Sequence, residues 1–440
     1  MRKIKTALCA FAALFVVCSC GSDRSGILKV YNWADYIDED LIPEFEQWYE
    51  EQTGEKVEIV YQTFDINESM LSKIEKGHED YDVVCPSDYI IERMLRSDLL
   101  LPLDRNFGDT PDYTVNVSPY IHDMFDRIEG SGKNANDYSV SFMWGTTGII
   151  YNPKYVSEEE VKSWKILQDP RFKDRIFMKD AFRDVYSSLL VAFNREAIDA
   201  GEVDLAALTF DASDESIALI EDFLMGCKDN VAGWEADFGK EYMTQEKGWM
   251  NLSWSGDAAW AIEEAADVGV ELRYTIPEDG STVWFDGWVI PKYARNVKAA
   301  SYFINFMCMP ENAVRNMDEI GYVSAIGGPE VLEAMTDTTE FDPIDVSYFF
   351  GDEAVEACVD PVYYAPKHII DHCGMLHDSG DRTTALLDMW SRVKGTSATT
   401  FTYVVIGVTF AGLLAYGIAG RVQKRRRKAR RLSARKISKI

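Results

Sequence analysis

Between residues 28 and 394 the apolar positions switch repeatedly between the two-residue period of a strand and the three-to-four-residue period of a helix. Residues 28–33 (LKVYNW) read as a strand, and 41–53 as an amphipathic helix stopped by Gly54. Strands are expected at 56–61 and 81–84, and helices at 66–76 and 90–96. Further along, a strand at 250–254 leads into a helix over 256–266, a strand covers 283–290, and helices cover 299–309 and 311–320. Strands alternating with helices build βαβ units around a parallel sheet, so the pattern predicts an α/β fold. At roughly 370 residues this stretch exceeds one typical domain, and two lobes are expected. No internal repeat and no low-complexity linker interrupts it before Lys394.

The ends of the 440-residue chain follow different rules. Residues 401–420 carry no charge and match the length of a membrane-spanning helix. The basic tail behind them, 421–440, holds eleven Lys or Arg and no acid. Basic flanks stay on the cytoplasmic side, which predicts a cytoplasmic tail and an extracytoplasmic body. Nucleic-acid binding is the other reading of such a tail, but the apolar span directly ahead of it favours the membrane. At the N-terminus Arg2, Lys3 and Lys5 precede an apolar run over 7–17, and Val17-Cys18-Ser19-Cys20 resembles a bacterial lipobox. Residues 1–20 are therefore expected to be a lipoprotein signal peptide, with Cys20 acylated and the chain anchored at the outer face of the cytoplasmic membrane. An ordinary secretory signal is the alternative.

Charge changes once these segments are set aside. The whole chain has 45 basic and 73 acidic residues. Without the three basic residues of the leader and the eleven of the tail, 31 face 73, a net charge near −42. Such a surface repels nucleic acid and anionic substrates and draws in cations. The cysteines beyond Cys20, namely Cys85, Cys227, Cys308, Cys358 and Cys373, are odd in number and lack metal spacing. Cys358 and Cys373 could pair, but buried free thiols are an equal reading.

Open α/β sheets bind ligands beyond the carboxyl ends of their strands. At those ends this chain places Trp33-Ala34-Asp35-Tyr36, Ser87-Asp88-Tyr89, Trp254-Ser255-Gly256-Asp257 and Trp284-Phe285-Asp286. Each cluster joins an aromatic ring or hydroxyl to a carboxylate. An aliphatic polyammonium needs both, because its charged ends lose water on burial while its methylenes lie against rings that also attract the ammonium. Core tryptophans and helix-capping acids are the plainer explanation of any single cluster, Asp257 above all. Four at comparable strand ends favour a site.

Several ordered stretches resemble the spermidine/putrescine-binding proteins of bacterial polyamine importers: VYNWADYI, FDINESM, YDVVCPSDY, FMWGTTGIIYN, RFKDRIFMKD, LSWSGDAAW, WFDGWVIP and FINFMCMPENAV, ending near Tyr322. The resemblance runs from about residue 28 to 394. It implies a two-lobed, Venus-flytrap fold of the type II periplasmic-binding class that performs no chemistry on its ligand and uses no cofactor or metal. It also implies that Trp33, Asp35 and Tyr36 line the cleft, with Ser87 and Tyr89 near one amine. Trp254 and Trp284 would box the methylenes, Asp257 and Asp286 would take ammonium groups, and Tyr322 would close one wall. After RFKDRI the family spaces its two acids by three, whereas Asp180 and Asp184 are four apart. Asp184 fits the second position, and Asp180 fits only with a slip. Leu376, with His377 beside it, stands where spermidine-preferring members carry glutamine.

The expected organisation is lobe 1 from 28–137 plus 286–323, and lobe 2 from 139–284 plus 324–394, with crossings near 138, 285 and 324. The partners implied are a small polyamine and an ABC importer permease, with the receptor a monomer that binds no nucleic acid. Two alternatives stand beside this. Tyr363-Tyr364 is the kind of pair a ferric-ion receptor of the same fold uses, and paired acids such as Asp257 and Asp286 could serve an extracytoplasmic hydrolase. No nucleophile elbow or HExxH motif supports an enzyme. His368, His372 and His377 are too few and too loosely placed for zinc.

Overall fold

A computed structural model describes residues 24–236 and 238–395. The leader expected at 1–20, with Cys20, the span at 401–420 and the basic tail lie outside the described residues. Among the described residues no helix is long and apolar enough to cross a membrane. The chain forms two compact units, one running to Thr383 and the other starting at Thr384. In the second, the described part is the body of the helix Thr383–Lys394, which buries Leu386, Met389, Trp390 and Val393.

The first unit holds the α/β fold. Its strands, in chain order, are β1 (Ile27–Trp33), β2 (Glu58–Phe64), β3 (Val83–Val84), β4 (Leu100–Leu101), β5 (Glu129–Gly130), β6 (Lys133–Asn134) and β7 (Ser139–Tyr151). There follow β8 (Ile176–Lys179), β9 (Val231–Glu235), β10 (Met250–Trp254), β11 (Arg273–Thr275), β12 (Ser281–Pro291), β13 (Val323–Ser324) and β14 (Cys373–Met375). The main sheet runs β2-β1-β3-β12-β7-β10-β8-β9, with β4 and β14 on β12 and with β11 and β13 on β7. β5 and β6 form a separate hairpin.

The sheet is mixed, not wholly parallel as the alternation of strands and helices suggested. β1 is parallel to β2 and β3, and β8 to β9 and β10. β12 runs antiparallel to β3 and to β7, and β7 antiparallel to β10. The reason is length. β7 and β12 are buried along all of their 13 and 11 residues, so each serves both halves of the sheet. Strands covered on both faces read as continuous apolar runs, which is how WFDGWVIP and FMWGTTGIIY look in the sequence. The fold is a two-lobed α/β structure in which these strands pass from one half to the other. Their register skips a residue between Asp286 and Gly287. Such a bulge bends the strand and re-aims the side chain beside it.

Residues 325–364, which the sequence assigned to lobe 2, contact residues it assigned to lobe 1. Ser118 donates from its amide to the Ala325 carbonyl at 2.9 Å and from its hydroxyl to the Phe349 carbonyl at 2.7 Å. Tyr120 meets the Tyr348 ring edge-on at 5.1 Å. Only afterwards does β14 join β12 through Ser281–Val283. Short sequence patterns cannot carry this information, because it depends on pairing across some 230 residues. Cys85, Cys227, Cys308, Cys358 and Cys373 are all free thiols.

Candidate functional site

The bulge in β12 delivers Asp286 to the ends of β1 and β3. Ser87, just past β3, forms an isolated antiparallel bridge with Asp286. Its hydroxyl donates to Oδ1 of Asp286 at 2.6 Å, and the Tyr36 hydroxyl donates to Oδ2 at 2.8 Å. Behind them Asn67, buried at the start of the helix Asn67–Glu75, donates to Ser87 Oγ at 3.0 Å and to the Tyr89 hydroxyl at 2.9 Å. Asp286 is 7% exposed. Burial moves its carboxyl up from 3.8 to about 6 even though both hydroxyls favour the ionised form, and the charge of Asp184 adds to the rise. Asp88, the acid of the same cluster, is committed to the fold: its carboxylate accepts the amides of Tyr89 at 2.7 Å and Phe285 at 3.2 Å. Its burial pushes the carboxyl well above the usual range.

An aromatic wall continues from this carboxylate. Tyr36 meets the Tyr322 ring at 5.7 Å, Tyr322 meets Trp284 at 5.4 Å, and Trp284 meets Trp254 at 6.5 Å, each edge-on. Two glycines let these rings approach the backbone. A Cβ on Gly145 would sit 2.5 Å from a Trp284 ring carbon, and one on Gly256 would sit 2.3 Å from Tyr322. Trp33 and Asp35 share the turn that carries Tyr36; Trp33 leans on Phe64 at 4.5 Å, and Asp35 is exposed with φ 51°.

The other acids fall into different environments. Asp184, in the first turn of the helix Phe182–Phe193, accepts the Trp254 indole N–H at 2.9 Å, and burial raises its carboxyl. Asp180 is exposed, and its amide bonds to the Glu235 carbonyl at 2.7 Å. Asp257 already has counter-charges from the protein: Lys179 Nζ lies 2.5 Å from Oδ2 and Lys240 Nζ lies 3.2 Å from Oδ1. Burial alone would raise Asp257, but the two lysines outweigh it and hold the carboxyl low. The Tyr322 hydroxyl donates to the same carboxylate at 3.1 Å.

Sequence reasoning passed over three cations. Lys179 and Lys240 surround Asp257, and Lys179 Nζ also sits 4.4 Å from the Trp254 ring centre. Arg183 lies 4.1 Å over the Tyr89 ring and pairs with Glu68 at 2.9 Å. Only its place beside Asp184 in the RFKDRIFMKDAFRD stretch could have flagged Arg183. Asn67 was visible inside FDINESM but looked like part of a helix start. Elsewhere, Tyr364 is fully buried against Phe349 and Phe350 at 5.2 and 5.0 Å, so that half of the tyrosine pair is packing. His377 stacks on Phe210 and places Nδ1 3.2 Å from Glu92.

The model of the bacterial extracellular solute-binding protein family matches residues 45–339. The spermidine/putrescine-binding periplasmic protein of Escherichia coli K12 is 27% identical over 328 residues, covering 73% of this chain and 84% of its own. The putrescine-binding periplasmic protein PotF of the same organism is 25% identical over 310 residues, 68% of this chain and 77% of its own. Among solved structures, a putative spermidine/putrescine ABC transporter from Listeria monocytogenes is 31% identical with a TM-score of 0.64, over 84% of this chain and 99% of that one. The substrate-binding protein PotD of Streptococcus pneumoniae is 29% identical with a TM-score of 0.61 over the same shares. The chain belongs to the bacterial extracellular solute-binding protein family.

Proposed function

We propose that the protein is an extracytoplasmic receptor for a short polyamine of the putrescine/spermidine class, which it hands to an ABC importer. The observation that carries this reading is Asp286. It is a buried carboxylate held by two hydroxyls beside Trp284, Tyr36 and Tyr322, and among the described residues no Lys, Arg or His nitrogen lies within ion-pair distance of it. A desolvated anion facing a second one, Asp184, is unfavourable until a cation arrives, and a dication with an apolar middle suits two carboxylates joined by indole and phenol faces. The Escherichia coli relatives are, by name, binding proteins for ligands of this class. No bond is made or broken, and no cofactor is needed.

In this reading the lobes close over the ligand and the closed form docks on a permease. Lobe 1 is centred on 28–137 plus 286–323 and lobe 2 on 139–284 plus 324–394, with residues 325–364 lying across both. The crossings would be near 138, 285 and 324. The receptor is tethered by a lipid on Cys20 and by the apolar run 401–420. Calorimetric titration with putrescine and spermidine tests ligand binding; absence of binding by either refutes it. For the tether, Cys20→Ala should abolish labelling by a fatty-acid probe while the protein stays in the membrane fraction through its C-terminal span. Persistent labelling, or release of that variant to the soluble fraction, would contradict one anchor or the other.

A further inference from the structure

The Trp254–Asp257 corner has the composition expected of an ammonium subsite: an indole face and a buried carboxylate at a strand end. It is already filled. Lys179, the last residue of β8, is fully buried, and its ammonium lies 2.5 Å from Asp257, 3.5 Å from Glu235 and 4.4 Å from the centre of the Trp254 ring. It also donates to the Ala236 carbonyl at 2.6 Å. Lys240 completes the group on the other oxygen of Asp257, at 3.2 Å. Among the described residues, two lysines face two carboxylates at this corner, so Asp257 already has ammonium partners. The contrast with Asp286 is one of partners, since Asp286 has hydroxyls where Asp257 has ammonium groups.

We propose that Lys179 is a built-in ammonium group that occupies the Trp254–Asp257 subsite and so limits the receptor to ligands placing two, not three, ammonium groups in the cleft. This rests on the polyamine reading above and narrows it to diamines. A ligand then spans the space between Asp286 and Asp184, with Trp284 and Tyr322 against its methylenes. A third ammonium entering the Trp254–Asp257 corner would meet Lys179. There it would face like charge in a desolvated setting, which disfavours it strongly.

The test is calorimetric titration of the purified full chain with putrescine and with spermidine, comparing the ratio of their dissociation constants between variants. Wild type should bind putrescine at least as tightly as spermidine. Lys179→Met leaves Asp257 and Glu235 with one counter-charge between them and opens the face of Trp254, so the ratio should move towards spermidine by about tenfold or more. Lys179→Gln keeps a donor for the Ala236 carbonyl and should shift the ratio in the same direction if the Met variant does not fold. The double variant Lys179→Met/Asp257→Asn restores neutrality and should return the ratio to near the wild-type value. A smaller shift in folded single variants, or an equal shift in the double variant, overturns the proposal while leaving the polyamine reading intact. Wild-type protein that binds neither polyamine overturns both.

Discussion

Asp286→Asn should make the protein more stable and less functional at once. At pH 7 the ionised carboxylate is carried at a cost. Its shift from 3.8 to about 6 corresponds to roughly 3 kcal/mol of disfavour relative to the unfolded chain. Because the folded value is the higher one, the stability linked to this proton is fully present below pH 3.8 and is lost as pH rises through about 6. Asn removes the charge but keeps only one acceptor oxygen, so either Tyr36 or Ser87 loses its partner at a cost of about 1 kcal/mol. The net gain of about 2 kcal/mol at pH 7 should raise the melting temperature of the ligand-free protein by roughly 3 °C, and the gain should fade towards pH 4. Binding moves the other way. A ligand ammonium left without its counter-charge in a desolvated cleft loses about 3 kcal/mol, or a hundredfold or more in affinity. Scanning calorimetry without ligand and titration calorimetry with putrescine read the two effects separately. A melting temperature unchanged or lowered, together with putrescine affinity within about threefold of wild type, refutes the reasoning.

Three further outcomes follow from the same geometry. Polyamine affinity of the wild type should fall about tenfold between pH 7 and pH 5, as one proton competes for Asp286, and this slope should vanish in Asp286→Asn; a flat profile in the wild type counts against Asp286 as the ligand's counter-charge. Gly145→Ala brings a methyl to 2.5 Å from Trp284, so it should cost about 1–3 kcal/mol of stability and weaken binding by roughly tenfold, measured by melting and titration. Asn67→Ala removes the amide that donates to the Ser87 and Tyr89 hydroxyls and should cost about 1–3 kcal/mol with a smaller loss of affinity, whereas a neutral result would mean that the Ser87 bond to Asp286 suffices without it.

What could be read from the sequence depended on how local each feature was. The helix Leu41–Thr53 and the strand Met250–Trp254 fall where the apolar periodicity put them, because one face of each must be buried whatever lies opposite. The helix expected at 299–309 instead spans Val297–Met307, starting where Asn296 accepts the Ala299 amide at 3.2 Å, a capping signal that periodicity ignores. The direction of β7 and β12 was not legible. Alternating strands and helices imply parallel neighbours only when each strand stays in one half of the sheet. Within the site, Asp286 stands with Tyr36 and Ser87, and Trp254 with Trp284, but Trp284 and Asp286 lie inside β12 and not at the carboxyl end of a strand, where the sequence had put them. Asp257 shows the limit of that logic. Its cluster reads like the others in sequence, but its partner Lys179 comes from a strand 78 positions earlier, and nothing in the local pattern announces that pairing. Arg183 over Tyr89 is hidden for the same reason.

The most direct test of the account is a titration of the purified wild-type protein with putrescine at pH 7, followed by heat release and by melting temperature. The account predicts saturable one-to-one binding with a dissociation constant of about micromolar or tighter, accompanied by a rise in melting temperature with ligand concentration. No heat and no shift in melting temperature at millimolar putrescine would contradict it.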